Sequence, residues 1–401
     1  MKKGFAFALV VAGSILVCTA LAGSEKKLDT LLALPVTDSR VFVESTEEPL
    51  LAILKNTLPD EKDETVREVS PVVPSSGHEE QKNDAASVAW MRQLRLQAEQ
   101  GDPRSGFWLG RFMVEENVDP KTVDEGVSLI RRSAEQGFMR AQLYLGRLYA
   151  TGIHLAKDPA EAERWFVAAA RQGSPMVQLY LGLMYGVGKG IGRDMDKSLL
   201  WVEKSADRGL AQAQLARGLF ASFSRFYPRD DSKGVGYLAK AAEQGMPKAQ
   251  FYLALMYQRG RGVEQSSEQA LHWNMLAAEQ GYPEAEYAMS RMAEFGIGMT
   301  ADKAWGMMWM DRAAHHGMSQ AQYRMGLAYL EGKSVSQDLP VAATWFYKAA
   351  MQGHTEAQLR LGYMYAKGIG VAEDKSRSVA WLEKAAGAGN EVAGQWLKNL
   401  D

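Results

Sequence analysis

From Trp90 onward, apolar residues recur at helical spacing, in pairs of runs that together span 36 residues. In the unit that follows Gly137, Ala141, Leu145 and Leu148 stand four and three residues apart, which places them on one face of an α-helix. A short polar loop separates this first helix from a second one with the same kind of spacing. The pattern predicts an array of helical hairpins.

Glycine marks the end of every unit. Asp158 and Pro159 begin a second helix with a capping side chain and a proline at the first helical position. Gly173 ends that helix, since glycine adopts the left-handed conformation after a helix without a steric cost. We call the glycines that recur at this interval the repeat glycines. They are Gly101, Gly137, Gly173, Gly209, Gly245, Gly281, Gly317, Gly353 and Gly389.

A hairpin of this size cannot bury its apolar face alone, whereas stacked hairpins share a continuous core. The fold class that follows is all-α, a right-handed α-solenoid of helix–turn–helix repeats with a 36-residue period. We expect this domain to span 86–401, with eight full repeats in 101–388 and a capping helix at each end.

The N-terminal segment has the pattern of an export signal. Two lysines precede an apolar stretch at 5–22, which ends in small residues suited to a signal peptidase. We expect residues 1–22 to be a signal peptide cleaved after Ala22, which would give a periplasmic or secreted bacterial protein. Two alternatives stay open: lipid attachment at Cys18, for which Val17 is a poor preceding residue, and an uncleaved membrane anchor.

Residues 23–85 do not follow the repeat. They carry five prolines and, between Asp60 and Asp84, eight acidic residues, three basic ones and no aromatic. Such a segment cannot bury enough apolar surface to offset the entropy lost on ordering. We expect a largely disordered, acidic and proline-rich linker.

The repeat also carries a recognisable motif. In its clearest copy, residues 357–371 read AQLRLGYMYAKGIGV and are followed by Asp374, Trp381 and Gly389. This motif resembles the Sel-one-like repeat family, a relative of the tetratricopeptide repeats, over all of 101–389. The resemblance implies a non-enzymatic adaptor scaffold that binds other proteins and has no catalytic residue or cofactor. Exported bacterial members often serve envelope assembly, secretion or signalling regulation.

One face of the first helices is the candidate binding site. By analogy with tetratricopeptide arrays, first helices line the concave side of the solenoid. Positions 3, 7, 10 and 14 after each repeat glycine share a face beside the core, and arginines and aromatic residues, which anchor many interfaces, occupy much of it. The candidate partner-binding residues are Arg104, Trp108, Arg111, Arg140, Tyr144, Arg147, Tyr180, Tyr252, Arg259, Arg291, Arg324, Arg360 and Tyr363.

Charge limits the kind of partner. The chain has 46 Lys and Arg against 48 Asp and Glu, a net charge of −2, which argues against nucleic acid. The first two repeats nevertheless place four arginines beside two large aromatic residues on the candidate face, which favours an acidic peptide or helix as the partner. The other interpretation is that these arginines pair with acidic residues of neighbouring repeats.

The alternative function is a carbohydrate-binding module for peptidoglycan or exopolysaccharide, with Trp108, Tyr144, Tyr180 and Tyr252 as stacking platforms. No metal site is expected, because no Cys, Asp or Glu completes a ligand set with the histidines. Membrane association is expected only through the signal segment or a lipid anchor.

One repeat departs from the others. In 209–244, Arg217 stands where leucine or methionine is usual, and Ala221 stands where tyrosine is usual. The loop of this repeat also lacks its glycines. We expect a bend or an irregular loop near 222–230.

Overall fold

A computed structural model describes residues 91–116, 119–188, 190–224 and 228–398. The signal peptide and linker predicted for 1–85 lie outside these residues. Within the described ranges all regular structure is helical, and a helix at 91–99 precedes seventeen others. These are α1 (Pro103–Glu115), α2 (Pro120–Glu135), α3 (Met139–Thr151), α4 (Pro159–Arg171), α5 (Pro175–Val187), α6 (Met195–Asp207), α7 (Ala211–Phe223), α8 (Asp231–Glu243), α9 (Pro247–Arg259), α10 (Ser267–Glu279), α11 (Pro283–Phe295), α12 (Lys303–His315), α13 (Ser319–Glu331), α14 (Leu339–Met351), α15 (Thr355–Lys367), α16 (Lys375–Gly387) and α17 (Glu391–Lys398).

The helices alternate as the first and second helices of successive hairpins, from α1–α2 to α15–α16, and α17 is a first helix that follows the last hairpin. The described residues fall into two compact units, 91–245 and 246–398, which we treat separately. Within each unit every hairpin packs against the next one. The predicted all-α class of 36-residue helical repeats is therefore confirmed.

Side-chain caps set where the second helices begin. The Asp158 carboxylate accepts hydrogen bonds from the backbone N–H groups of Ala160 and Glu161, at 2.9 and 3.1 Å, which satisfies two donors at the start of α4. At the end of each second helix the repeat glycine has a positive φ, for example +88° at Gly137. The residues that precede the second helices as caps are Asp119, Asp158, Asp194, Asp230, Ser266, Asp302, Asp338 and Asp374.

A backbone hydrogen bond closes the loop inside each of several hairpins. Asp158 N–H donates to the Tyr149 carbonyl at 3.0 Å, and in the departing repeat Asp230 N–H donates to the Ala221 carbonyl at 2.9 Å. Helix α7 keeps the thirteen-residue length of its neighbours, but its capping residue Ser224 is extended rather than left-handed. The loop expected to be irregular therefore leaves α7 through an extended residue, yet the same backbone hydrogen bond closes it as in the other hairpins. Residues 225–227 lie outside the described ranges.

Glycines in the first helices allow the two helices of a hairpin to approach closely. A Cβ atom on Gly146 would lie 2.9 Å from the Phe166 ring, and one on Gly326 would lie 2.6 Å from the Phe346 ring. Both distances are too short for packed carbon atoms. Trp165, the residue before Phe166, instead belongs to a buried cluster with side chains of the preceding hairpin. Adjacent residues of one second helix thus fill the inside of a hairpin and the boundary between hairpins.

Glutamine side chains fix the register between successive hairpins. Gln142 Nε2 donates to the Ala134 carbonyl of the preceding hairpin at 3.1 Å, and Gln172 Nε2 donates to Gln142 Oε1 at 2.8 Å. The second of these bonds recurs between Gln352 and Gln322, also at 2.8 Å. Because the carbonyl and the amide are buried or half-buried, each bond satisfies groups that water does not reach freely.

The hairpin in 281–316 replaces these glutamines by charged side chains. Glu286 is fully buried and carries no donor, so Arg312 supplies one: its Nη2 donates to the Ala278 carbonyl of the preceding hairpin at 3.3 Å. Arg312 Nε also lies 3.0 Å from one Glu286 oxygen, and His316 Nδ1 lies 2.7 Å from the other. The bond to the preceding carbonyl is kept, with a different donor.

Candidate functional site

The first two hairpins place cations over an aromatic ring. Trp108 lies on α1, seven residues after its repeat glycine, and is half-buried. The guanidinium carbon atoms of Arg111 and Arg140 lie 5.7 and 5.6 Å from the Trp108 ring centroid, within the range of a cation–π interaction. Arg140 begins the next first helix, α3, so a single ring gathers cations from two successive repeats.

Tyr144 continues this arrangement on α3. The Arg147 guanidinium carbon lies 5.6 Å from the Tyr144 ring centroid. The Tyr144 hydroxyl donates to Glu115 Oε1 at 3.1 Å, and Arg111 Nε donates to the same carboxylate at 2.9 Å. Burial, with the negative charge of Glu115, raises the pKa of Tyr144 far above its usual range, so its hydroxyl remains a donor at neutral pH.

We call this set of residues the arginine–aromatic surface. Its arginines are exposed or half-buried, and its rings are half-buried. The arginines come from two repeats and point at the same side because they occupy equivalent places on α1 and α3. The surface consists of Arg104, Trp108, Arg111, Arg140, Tyr144 and Arg147.

Glu115 contacts this surface, and sequence reasoning did not single it out. The helical register places it on the candidate face, yet nothing in the sequence indicates that Tyr144 of the next repeat reaches it. Its ion pair with Arg111 spans one turn of α1, so pairing with an acid does occur, but within one helix. Arg111 therefore does not follow the interpretation in which these arginines pair with acidic residues of neighbouring repeats, since its acid lies in its own helix.

Tyr180 on α5 extends the surface into a third repeat. It is half-buried, and its ring meets the Phe166 ring edge-on at 5.9 Å. Burial raises the pKa of Tyr180, while the nearby positive charge of Arg147 opposes that rise. Arg147 therefore lies close enough to act electrostatically on two tyrosines, one in its own repeat and one in the next.

Three of the candidate residues lie inside the protein. Tyr252 is 5% exposed, Arg360 1% and Tyr363 0%. Arg360 Nε donates to the Tyr323 hydroxyl at 3.1 Å, and the Trp396 ring of α17 meets the Tyr363 ring at 4.8 Å. These residues share the register of the surface residues, but neighbouring side chains cover them, so a partner cannot contact them in this conformation.

The remaining candidates belong to the unit in 246–398 and are not part of the arginine–aromatic surface. Arg259 is exposed at the end of α9. Arg291 is half-buried, with its guanidinium 4.5 Å from the Phe295 ring centroid and 3.5 Å from Glu294. Arg324 is half-buried as well, and burial lowers its pKa.

The structure argues against several of the stacking platforms that the carbohydrate alternative requires. Of its four proposed platforms, Tyr252 is buried. Guanidinium groups already lie over the Trp108 and Tyr144 rings, and a stacked sugar would have to displace them.

Neither a metal-binding cluster nor a membrane-spanning helix is present among the described residues. In those ranges no group of three or more His, Cys, Asp and Glu side chains is placed to hold a metal ion. Among the helices of the same ranges, none combines the length and the apolar character needed to cross a bilayer.

Comparison with known proteins gives consistent results. A family model described as Sel1 repeat matches seven consecutive segments: 140–174, 175–210, 210–246, 247–282, 283–318, 319–354 and 355–390. A crystal structure of a Sel1 repeat protein from Oxalobacter formigenes is 70% identical, with a TM-score of 0.81, and the match covers 94% of this chain and 100% of that one.

A second similar structure is that of c5321, a protective antigen present in uropathogenic Escherichia coli strains that displays an SLR fold. It is 31% identical over 77% of this chain and 66% of its own, with a TM-score of 0.61. No protein with a curated description matches the chain.

Proposed function

This chain belongs to the Sel1 repeat family, and from that premise we propose that it is an exported, non-enzymatic scaffold that binds an acidic peptide or helix of a partner protein. Proteins of this family generally mediate protein–protein interactions, and their repeat scaffold is typically non-catalytic. The partner binds along the first helices, at the arginine–aromatic surface.

The observation that carries the proposal is the placement of Arg111 and Arg140 over Trp108. A guanidinium held over a ring keeps its planar N–H groups available for a carboxylate at a small cost in side-chain entropy. Three such groups come from two repeats, those of Arg111, Arg140 and Arg147, and Arg104 is exposed on the same face. One acid, Glu115, pairs with Arg111, so the set favours a ligand that carries several negative charges. Trp108 and Tyr144 would cover the apolar part of that ligand.

Export is part of the proposal. It is supported by the lysines, the apolar run and the small residues near Ala22, and it would place the scaffold in envelope assembly, secretion or signalling regulation. Mass spectrometry of the protein recovered from fractionated cells tests this point. A mature chain that begins at Gly23 supports export, whereas an intact N-terminus in the cytoplasmic fraction contradicts it.

Binding of a defined probe tests the surface itself. The probe is a labelled helical peptide with glutamates along one face, and its control is the same peptide with glutamines. We expect the glutamate peptide to bind and its affinity to fall as salt rises, because exposed charges are screened beyond about 8 Å at physiological ionic strength. Charge reversal of Arg104, Arg111, Arg140 and Arg147 should weaken binding at least tenfold, about 1.4 kcal/mol.

A matched control separates this surface from net charge. Arg131, Arg132, Arg164 and Arg171 are exposed on the second helices of the same two repeats, and their reversal changes the total charge equally. We expect that variant to bind within about twofold of the native chain. Equal losses in the two variants would mean that net charge, and not this surface, holds the peptide. Salt-resistant binding of peptidoglycan fragments that requires the aromatic rings would favour the carbohydrate alternative instead.

A further inference from the structure

The repeat in 209–244 contains a cavity where its neighbour contains a tyrosine. In the repeat in 173–208, Tyr185 is 1% exposed and its hydroxyl donates to Glu163 of the preceding hairpin at 2.7 Å. The equivalent pair in the next repeat is Ala221 and Leu199, so the ring and its carboxylate are both missing. A cavity of about 640 Å³ lies there, between α6, α7 and the start of α8.

A buried arginine lines this cavity. In the other seven repeats the residue eight places after the repeat glycine is leucine or methionine, and here it is Arg217. The side chain is 6% exposed. Its guanidinium lies 5.5 Å from the Tyr237 ring centroid, and one terminal nitrogen is 3.7 Å from Glu203.

The Nε–H of Arg217 has no acceptor among the described residues. A buried donor of a charged group that lacks an acceptor destabilises a fold, because the hydrogen bond it loses to water is not replaced. Leucine or methionine, which the other repeats carry at this place, avoids that cost. An arginine at this place, at the wall of a cavity, therefore points to an acceptor that comes from outside the chain.

The other charged groups at the cavity are already engaged with one another. Lys233 Nζ donates to Glu203 at 2.6 Å, so this lysine and Arg217 share one carboxylate. Burial opposes the ionisation of Glu203, but the hydrogen bond from Lys233 and the charge of Arg217 outweigh it and lower the pKa of Glu203. Asp230 accepts the Lys233 N–H at the start of α8, and Asp231 pairs with Arg229 at 2.7 Å.

Apolar side chains form the rest of the wall. Leu199, Phe220 and Pro228 line the cavity beside the charged residues. A purely ionic ligand such as inorganic phosphate would place its bound water against these apolar side chains and would not cover them. A ligand with one anionic end and an apolar body satisfies both parts of the wall, since the guanidinium fork matches the geometry of a carboxylate.

We propose that the repeat in 209–244 is a binding site for a carboxylate attached to an apolar body, with Arg217 as the residue that recognises the carboxylate and Ala221 as the residue that leaves room for the apolar body. Two sources offer this chemistry: a small apolar acid and the C-terminus of a peptide that ends in an apolar residue. The site is independent of the arginine–aromatic surface, and charge reversal on α1 and α3 leaves it intact.

The test measures binding of acids and of their neutral amides to the full chain by NMR titration. N-acetyl-leucine is compared with N-acetyl-leucinamide, and a hexapeptide ending in a free leucine is compared with its C-terminal amide. We expect at least one acid to bind, and its amide to bind at least tenfold more weakly because it lacks the charge. Tighter binding of the peptide acid identifies a protein C-terminus as the source, and similar affinities identify a small acid.

Two variants restore residues that other repeats carry. Arg217→Leu removes the guanidinium, and Ala221→Tyr fills the cavity. We expect both to lose binding at least tenfold. The thermal midpoint of Arg217→Leu should stay the same or rise, because leucine occupies this place in other repeats. Ala221→Tyr should remain folded with a somewhat lower midpoint, because Leu199 offers the new hydroxyl no acceptor. Arg208→Leu removes an exposed arginine of the same unit that does not line the cavity and should bind like the native chain.

Several outcomes would overturn the proposal. Equal affinities of an acid and its amide would mean that no cation recognises the carboxylate. Native-like binding by both Arg217→Leu and Ala221→Tyr would place the site elsewhere. Absence of binding by either acid up to about 10 mM, a free energy weaker than about −3 kcal/mol, would mean that the cavity does not select this class of ligand.

Discussion

The same register of the first helices gives an open surface in the first two hairpins and a covered one in the last. Seven and ten residues after the repeat glycine, α1 carries Trp108 and Arg111, which are half-buried. On α15 these places hold Arg360 and Tyr363, which are 1% and 0% exposed. The register fixes the direction of a side chain relative to its own helix, but its exposure depends on the size and shape of the neighbours that surround it.

The neighbours differ in a simple way. Around Trp108 they are arginines, whose long side chains lie over the ring and keep their charged ends in water. Around Arg360 and Tyr363 they are rings, since Tyr323 accepts the Arg360 hydrogen bond and Trp396 packs on Tyr363. Rings exclude water from the groups beneath them, so the second region contributes stability, whereas the first is the surface that we propose for binding.

The largest expected effect comes from the covered arginine. Arg360→Ala leaves the Tyr323 hydroxyl without its donor and opens a cavity, and should lower the free energy of unfolding by about 2–4 kcal/mol. Urea unfolding followed by circular dichroism measures this change. Arg147→Ala on the open surface is the matched control, expected to cost less than about 0.5 kcal/mol. Similar costs for the two variants would remove the distinction between the regions.

A smaller effect is expected from Glu115, the carboxylate that contacts Arg111 and Tyr144 of the open surface. Glu115→Gln keeps an acceptor for Tyr144 but removes a negative charge beside Arg111, and should tighten binding of the acidic peptide about two- to fivefold. Titrations at low and high salt measure this, and the gain should shrink as salt rises. Glu125→Gln, an exposed change on α2, should have no such effect. A weaker complex with Glu115→Gln would mean that this carboxylate itself helps to hold the peptide.

The smallest effect concerns pH at the covered end. His354 is stacked on Tyr323, its Nδ1 accepts the Ala357 N–H at the start of α15, and its Nε2 faces Gln320. Burial lowers the pKa of His354, and the carboxylate of Glu356 at 3.6 Å opposes this only in part. The unfolded chain therefore binds the extra proton more readily, so stability should fall as the pH drops below about 6.5, the ordinary pKa of histidine.

The variant that isolates this effect is His354→Asn. Asparagine is a good N-cap and does not titrate, so the cap remains while the dependence on pH is lost. We expect the native thermal midpoint to drop by about 1–3 °C more than that of the variant between about pH 7.5 and about pH 5.5. An identical dependence in the two proteins would mean that His354 does not titrate on unfolding.

The fold could be predicted from the sequence because its signals are local and repeated. Spacing of apolar residues, a capping aspartate and a glycine that needs a positive φ are each visible within one repeat, as at Asp158 and Gly137. The open part of the candidate site could be predicted for the same reason, since α1 and α3 place Trp108 and Arg140 by register alone.

The covered part of the candidate site and the cavity depend on contacts between repeats, which the helical register of a single repeat does not reveal. Tyr323 on α13 and Trp396 on α17 cover Arg360 and Tyr363 on α15. Predicting this cover requires the relative positions of all three first helices. The departures at Arg217 and Ala221 predict a bend or an irregular loop near 222–230. The structure keeps α7 regular to Phe223, follows it with the extended Ser224, and contains a cavity beside Arg217, which the pattern of a single repeat does not reveal.

The replacement of the glutamines by Glu286, Arg312 and His316 affects how the number of repeats can change during evolution. Its substitutes, Arg312 and His316, lie in the same repeat, while the group they serve in the preceding repeat is a backbone carbonyl. A gene duplication that copies the whole repeat therefore carries a complete set of partners into any new place. A crossover between codons 286 and 312 would separate them and bury a lone carboxylate, which costs several kcal/mol. New copies that keep this set together are therefore those whose boundaries fall outside 286–316.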